Sequence, residues 1–147
     1  MRRKNPYKQG IYHPEHPEKY KGTLPIVYRS GLELSFLRWC DRNENIISFG
    51  SESVVLPYIS PKDGKTHRYF VDGNIKMKTP NGVKKYLIEV KPSTQAVPPK
   101  TSKNKKRSTI LYEQIQWAVN QQKWDSAKAW CQKNGYHFAI LTEKDLR

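Results

Sequence analysis

An α/β domain with a mixed β-sheet flanked by helices is the fold that the sequence predicts. Apolar residues recur at helical spacing near the start of the chain and again in its last third, and short β-prone runs lie between. Two of those runs flank Asn81-Gly82, the strongest short signal for a β-hairpin. The length of 147 residues suits one domain. The order helix, strands, helices, strand indicates a mixed α/β fold.

Residues 1–25 are predicted to form an extended basic arm, followed by a folded domain over residues 26–147. The arm is rich in proline and tyrosine and shows neither the period of a strand nor that of a helix. It is expected to lie over the domain or over a partner, and its removal is expected to leave the domain folded. Its early cations, which are predicted to contact nucleic acid, are Arg2, Arg3 and Lys4.

The first helix is predicted from Ser30 to Arg42. Ser30 is a favourable N-cap residue, and Phe36 and Cys40 follow it at helical spacing. One or two strands, with a break near Gly50, are then predicted by IISFGSESVVLPYISP. Two more strands, on either side of the hairpin turn, are predicted by HRYFVDGNIKMK and VKKYLIEVK.

A long loop, rich in proline and then in lysine, is predicted over residues 92–108. Loops of this length are usually functional or mobile. Helical spacing begins at Thr109, a second helix is predicted from about Lys123 to a stop at Gly135, and a last strand follows in YHFAILT. The loop is expected to be mobile without DNA and to contact its phosphates through Lys100, Lys103, Lys105, Lys106 and Arg107.

The charge of the chain predicts a polyanionic partner. There are 27 Lys and Arg against 13 Asp and Glu, a formal net charge of +14. Nucleic acid is the first such partner and an anionic membrane the second, while a basic protein without such a partner is the alternative. The two cysteines suit a reduced core, and no apolar run reaches membrane length or resembles a leader, so a soluble intracellular protein is expected.

Two acids and a lysine are predicted to meet on one face of the hairpin. Residues i and i+2 of a strand face the same side, so Glu89 and Lys91 do. If residues 81–82 form the turn, Asp72 lies opposite Lys91; if residues 79–82 form the loop, Asp72 lies opposite Glu89. Both registers keep the three side chains on one face. A solvated salt bridge is the alternative, but a strand that is apolar on both faces usually lies inside a sheet.

A third acid, Glu33, is predicted on the apolar face of the first helix. It stands three residues before Phe36 and seven before Cys40. The spacing Ser30-x-x-Glu33 also fits a capping box, in which the glutamate binds the N-cap amide. The residue is therefore either a helix cap or a third carboxylate beside the hairpin acids.

Carboxylates gathered under a basic surface suit metal-dependent cleavage of phosphodiester bonds. Asp72 and Glu89 are predicted to bind Mg²⁺ with the main-chain carbonyl of Val90 and waters, and Glu33 is a further candidate ligand. Mn²⁺ is expected to substitute. Such a metal polarises the phosphate and acidifies a water. Lys91 is predicted to orient that water or to stabilise the charge that develops on the phosphate.

This arrangement resembles the PD-(D/E)xK nuclease superfamily, and the matching residues are Glu33, Asp72 and Glu89-Val90-Lys91. The similarity runs from about Tyr28 to Leu146, where RSGLE and FAILTEKDL resemble the catalytic domain of TnsA-type transposon endonucleases. With its size and basic arm, the chain most resembles the head-completion nucleases of large tailed bacteriophages.

The resemblance implies a restriction-endonuclease-like core and a Mg²⁺-dependent DNA nuclease that acts late in virion assembly, before heads join tails. The implied locations are the host cytoplasm and the virion, and the implied partners are DNA and head, portal or neck proteins. No membrane and no organic cofactor are expected. The sequence departs from the superfamily at Val71, where proline is common. The superfamily often has a polar residue on the helix after Glu-x-Lys, for which the candidates are Gln114, Gln116 and Lys123.

Two other functions fit the same residues. A non-catalytic nucleic-acid-binding structural protein keeps the basic segments and uses the acids in salt bridges. A transposon or repair endonuclease shares the fold and the chemistry but acts on different DNA. Binding of a divalent metal by the purified protein distinguishes the structural protein from the nucleases.

Overall fold

The computed structural model describes residues 9–51 and 54–147. Over this part of the chain, strands and two α-helices follow one another in the order β1 (Gly10–Tyr12), β2 (Ile26–Tyr28), α1 (Gly31–Arg42), β3 (Ile46–Ser51), β4 (Val55–Ile59), β5 (Thr66–Phe70), β6 (Gly73–Thr79), β7 (Gly82–Val90), α2 (Arg107–Asn134) and β8 (His137–Leu141). Short 3₁₀ turns lie at Pro17–Lys19 and Ser93–Gln95. Neither helix combines the length and the apolar character needed to cross a membrane.

A four-stranded mixed sheet forms the centre of the molecule, with the strand order β3-β6-β7-β8. The β3–β6 and β6–β7 pairs are antiparallel and the β7–β8 pair is parallel. Strands β1 and β2 form one separate antiparallel pair, and β4 and β5 form another. The predicted α/β class with a mixed sheet flanked by helices is confirmed.

The two faces of the central sheet carry different hydrophobic clusters. Ile88 and Val90 of β7 pack in the cluster that includes the buried face of α1, whereas Leu87 packs in the cluster with α2 and the β4–β5 pair. This alternation follows from the two-residue period of a strand. β7 is apolar on both sides, as predicted, and each of its faces packs against other elements. Glu89 lies at a buried position on the α2 side.

Helix α1 agrees with its predicted bounds because its local signals agree with each other. Ser30 is the N-cap, and its hydroxyl accepts a hydrogen bond from the Glu33 amide. Gly135 ends α2 in the left-handed conformation that favours glycine, with φ of 72°. The prediction of two helices between Thr109 and Gly135 was wrong, since α2 is one helix of 28 residues. Neither proline nor glycine lies within it to break the hydrogen-bond ladder.

The segment predicted as one strand before the hairpin turn is two strands, β5 and β6. β5 pairs with β4 and β6 pairs with β3 and β7, so the chain changes sheets at Val71 and Asp72. The turn residues are Pro80 and Asn81, since Thr79 pairs with Gly82. This register, continued by one step beyond the Gly73–Ile88 pair, sets Asp72 opposite Glu89. It is the second of the two registers considered from sequence.

The described part of the predicted arm packs against the domain. The Asp41 carboxylate on α1 accepts hydrogen bonds from the Tyr12 hydroxyl and from the amides of Glu15 and His16, at 2.5, 2.8 and 3.0 Å. The Lys19 ammonium donates to three carbonyls at the end of the same helix. A domain boundary at residue 25 therefore stays a prediction, and residues 1–8 lie outside the described residues.

Candidate active site

The start of α1, the start of β6 and the end of β7 meet at one end of the central sheet and bring the predicted acids close to one another. Asp72 lies at the junction of β5 and β6, Glu89 lies near the end of β7 with Lys91 directly after it, and Glu33 lies in the first turn of α1. Glu33, Asp72 and Val90 line one small cavity. Asp72 lies within electrostatic range of both Glu33 and Glu89.

The Asp72 carboxylate is in an environment that disfavours its charge. Burial and the facing Glu89 carboxylate raise the pKa of Asp72 well above its usual value, and Glu33 adds to the effect. The Val90 amide opposes it by donating a hydrogen bond to Oδ2 of Asp72 at 2.8 Å. A cation placed among these acids stabilises the ionised form that burial and repulsion disfavour.

Glu89 is held between two different partners. Only 5% of the residue is exposed. The Tyr69 hydroxyl donates a hydrogen bond to Oε2, and the Lys91 ammonium lies 3.7 Å from Oε1. Burial and the Glu89 charge raise the pKa of the Tyr69 phenol, so Tyr69 remains a hydrogen-bond donor at neutral pH. Tyr69 thus fixes one oxygen of Glu89 and leaves the other facing the lysine.

Glu33 has features of both roles considered for it. Its amide donates to the Ser30 hydroxyl at 3.1 Å, and its Oε2 accepts from the Arg29 amide at 2.7 Å. The reciprocal bond of the cap is therefore made with Arg29 rather than with Ser30. Its charge nevertheless raises the pKa of Asp72, so the carboxylate lies within electrostatic range of the site.

Lys123 is the predicted helix residue that the structure brings to the site. Burial and the Lys91 ammonium lower the pKa of Lys123, which also interacts with the charges of Glu89 and Asp72. Its ammonium lies 5.5 and 5.6 Å from the ring centres of Tyr58 and Tyr69. Gln116 lies two turns earlier on nearly the same face of α2, whereas Gln114 lies on the opposite face.

Tyr69 is a site residue that sequence reasoning missed. Its place in the strand-like run before Asp72 indicates only a buried aromatic residue, and no spacing rule links it to Glu89. The pairing of β5 with β4 turns its ring inward, towards Lys123. A tyrosine three residues before the strand acid is the only local signal.

The donor set of the site suits a hard cation. Within residues 9–51 and 54–147, no group of three His, Cys, Asp or Glu side chains converges closely enough to hold a metal by itself. Asp72 and Glu89 form a two-carboxylate site, which lies beside the backbone of Val90. Mg²⁺ is commonly bound through one or two carboxylates, with waters and phosphate oxygens completing its shell. The residues therefore fit Mg²⁺ that shares its coordination with solvent and a phosphate.

The basic loop contains both engaged and exposed cations. Lys105 pairs with Glu113 at 3.0 Å and donates to the carbonyl of Lys100 at 2.6 Å. Lys100, Lys103 and Lys106 are exposed, and Arg107 is the first residue of α2. The predicted contacts at Arg2, Arg3 and Lys4 lie outside the described residues.

Comparison with known proteins assigns the family. Residues 43–143 match the family described as TnsA-like endonuclease N terminal, and this stretch covers more than half of the chain. The chain belongs to the TnsA-like endonuclease family. The head completion nuclease of Enterobacteria phage T4 is 40% identical over 144 residues, which cover 94% of this chain and 93% of the phage protein. The family predicted from the motifs is confirmed.

The extent of the family match separates the site residues. Asp72, Glu89 and Lys91 lie inside the segment shared with the TnsA-like family, whereas Glu33 lies before its start at residue 43. The predicted similarity from about Tyr28 therefore reaches further than the family match. The T4 relative covers nearly the whole chain.

Proposed function

We propose that this chain is a Mg²⁺-dependent DNA nuclease that acts in phage head completion. The observation that carries the proposal is the Asp72–Glu89 pair, held at one end of the sheet beside Lys91 and Lys123. Two acids that share a buried site repel each other unless one is protonated or a cation neutralises them. Membership of an endonuclease family and the name of the T4 relative support hydrolysis of a phosphodiester bond.

Each residue of the site has a distinct part in this function. Asp72 and Glu89 hold Mg²⁺, which when bound polarises the phosphate and acidifies a water. Tyr69 holds Glu89 in place through its hydroxyl. The Lys91 ammonium orients the attacking water or stabilises the negative charge that develops on the phosphate. Lys123 adds a second positive charge on the α2 side of the site.

The place of the activity is inferred from the relative. The T4 protein is named a head completion nuclease. We infer that this chain acts on DNA in the host cytoplasm before heads join tails, in contact with head, portal or neck proteins. Mn²⁺ is expected to replace Mg²⁺, because carboxylate and water ligands suit both metals.

The test is incubation of plasmid and linear DNA with the purified protein in Mg²⁺ or in EDTA. Cleavage is expected only with the metal. Asp72→Asn and Glu89→Gln are expected to lose cleavage and the Mg²⁺-dependent rise in Tm, since only a native-state ligand stabilises by linkage. Lys91→Ala is expected to lose turnover while it keeps the rise in Tm, because it acts on the water or the phosphate.

A structural role for the acids gives the opposite pattern. The 3.7 Å contact between Lys91 and Glu89 then acts as a buried ion pair. In that case Glu89→Gln destabilises the fold, no variant changes a response to metal, and DNA stays intact. Glu33→Gln separates the two roles of Glu33, because glutamine still caps the helix. A stable but inactive variant places Glu33 at the metal, and full activity leaves it as a cap.

A further inference from the structure

A second positively charged feature lies on the outer side of α1, away from the acids. A cavity of about 500 Å³ opens there between α1 and the last residues of the chain. Arg38, Arg42 and Arg147 line it together with Trp39 and the buried Leu146. We call this set the arginine pocket.

The positively charged residues that line the arginine pocket are arginines. Three of the eight arginines of the chain line it, and no lysine within residues 9–51 and 54–147 does. Arginine presents a planar fork of donors that binds two phosphate oxygens at once, whereas lysine acts as a point charge. A lysine-rich surface that gathers only arginine at one cavity is suited to phosphate recognition rather than to solubility alone.

The charges of the arginine pocket are poorly compensated. Among the described residues, no acidic side chain lines the cavity. Arg42 lies 3.4 Å from Glu15, but both side chains are more than half exposed, so that pair is weak. Arg38 is exposed and makes no ion pair with a described residue. The guanidinium groups of Arg38 and Arg42 are thus available to an anionic ligand.

The arginine pocket lies on the same helix, α1, as Glu33 of the candidate active site. Glu33 and Arg42 lie on the same helix, nine residues apart, which is roughly 14 Å of helix at 1.5 Å per residue. At 3.6 residues per turn, nine residues make two and a half turns, so Arg42 faces the side of α1 opposite to Glu33. Arg38 and Arg42 are one helical turn apart and face the same side.

We propose that the arginine pocket is a second DNA-contact site, which binds the phosphate backbone on the side of α1 that faces away from Asp72 and Glu89. The two guanidinium groups of α1 bind phosphate oxygens, and the half-buried Trp39 supplies an aromatic wall against the sugars. The inference rests on DNA being the substrate, as proposed above. It adds a site on α1 to the predicted contacts of the arm and the basic loop.

The test measures DNA affinity at several salt concentrations in EDTA, which prevents cleavage. Removing one phosphate-binding cation lowers the slope of log affinity against log salt by about 0.9. Arg38→Ala/Arg42→Ala is expected to lower the slope by about 1.8. When salt rises from ~50 mM to ~200 mM, the wild type is then expected to lose about twelvefold more affinity than the variant does.

Three controls make the result specific. Lys128→Ala/Lys133→Ala removes two exposed charges from α2 and is expected to leave the slope unchanged. Glu15→Ala breaks the ion pair with Arg42 but keeps both arginines, so it is also expected to keep the slope. Arg38→Lys/Arg42→Lys keeps the charge but loses the fork, so its affinity is expected to lie between the alanine variant and the wild type.

An unchanged slope in Arg38→Ala/Arg42→Ala overturns the proposal, as does an equal fall in the lysine control. The binding measurement is independent of catalysis. Absence of cleavage in every protein counts against the proposed nuclease, while the slopes still decide whether the pocket binds DNA.

Discussion

Tyr69 determines how firmly Glu89 is held. Tyr69→Phe removes the hydroxyl that donates to Oε2 of Glu89 and keeps the ring beside Lys123. Loss of such an outer hydrogen bond commonly lowers metal affinity or activity about 10- to 100-fold. We expect the cleavage rate to require more Mg²⁺ by a factor in this range. Tyr58→Phe is the control, because Tyr58 also lies beside Lys123 but makes no hydrogen bond to Glu89 among the described residues. Equal Mg²⁺ dependence in both variants contradicts this role.

The raised pKa of Asp72 predicts how stability without metal changes with pH. The native state binds this proton more tightly than the unfolded state. Stability is therefore lost as pH rises from about 4, where Asp72 ionises in the unfolded state, to the raised native pKa. We expect Asp72→Asn to be more stable than wild type in EDTA, by an amount that grows with pH. Urea unfolding at several pH values measures it.

Asp41 gives a control of opposite sign. Burial opposes its ionisation, but hydrogen bonds from Tyr12, Glu15 and His16 outweigh burial and lower the pKa of Asp41. Its contribution to stability is complete above the unfolded pKa and is lost as pH falls through the native pKa. The destabilisation of Asp41→Asn is therefore expected to be largest near neutral pH and to fade in acid. A penalty for Asp41→Asn that does not depend on pH contradicts the assignment.

The residues that were predictable are those fixed by local geometry. Asp72 directly precedes β6 and Lys91 directly follows β7, so the register of this hairpin brings them to the same end of the sheet as Glu89. Tyr69 and Lys123 reach the site only because β5 pairs with β4 and α2 packs over that pair. Neither arrangement is local in sequence, so the pattern around Tyr69 does not indicate a site residue, and Lys123 cannot be distinguished from Gln114 by sequence alone.

At the scale of elements, the segment before β2 is bound to α1 more firmly than its sequence suggests. Deletion of residues 1–22 removes the partners of the fully buried Asp41 and the Lys19 ammonium that caps α1. Hydrogen bonds to a charged group contribute about 1.5–3 kcal/mol each. The three hydrogen bonds to Asp41 alone sum to about 4.5–9 kcal/mol on this scale, so we expect the deletion to lower the free energy of unfolding by several kcal/mol, contrary to the expectation from sequence.

Deletion of residues 1–8 is the matched comparison, because it keeps every hydrogen bond described for Tyr12, Lys19 and their neighbours. Thermal or urea unfolding of the two deletions and the full chain distinguishes the outcomes. Equal stability of the longer deletion and the full chain shows that these hydrogen bonds contribute nothing, and it restores the arm as a separable segment.

The helices show why element boundaries differ in predictability. In α1 the cap, the apolar spacing and the exit residue all indicate the same bounds, and the structure has a helix with those bounds. In α2 the polar residues 120–123 interrupt the apolar pattern, which predicts a boundary that is absent. The helix continues because it contains no residue that breaks its backbone hydrogen bonds. The apolar face is interrupted there because Lys123 turns towards the candidate active site.

At the scale of the molecule, the excess of positive charge predicts binding to DNA that depends strongly on salt. Neutralising the exposed loop cations Lys100, Lys103 and Lys106 is expected to lower the salt slope by about 0.9 for each of them that binds a phosphate. Lys105→Ala is the control, since its ammonium is already paired with Glu113. Anisotropy titrations at several salt concentrations measure both. A slope unchanged by the triple variant places the loop away from the DNA.

The parallel pairing of β7 with β8 also constrains the order in which the site is assembled during folding. The β6–β7 hairpin needs only neighbouring residues, whereas residues 91–136 separate the two parallel strands. Contacts across so long a loop form late, because closing the loop costs chain entropy before the contacts compensate. The Lys91 amide donates a hydrogen bond to the carbonyl of Leu141, and Lys123 arrives with α2. A chain in which β8 has not yet paired with β7 carries the acids without the completed site, so we expect the site to be assembled only after β8 and α2 have docked.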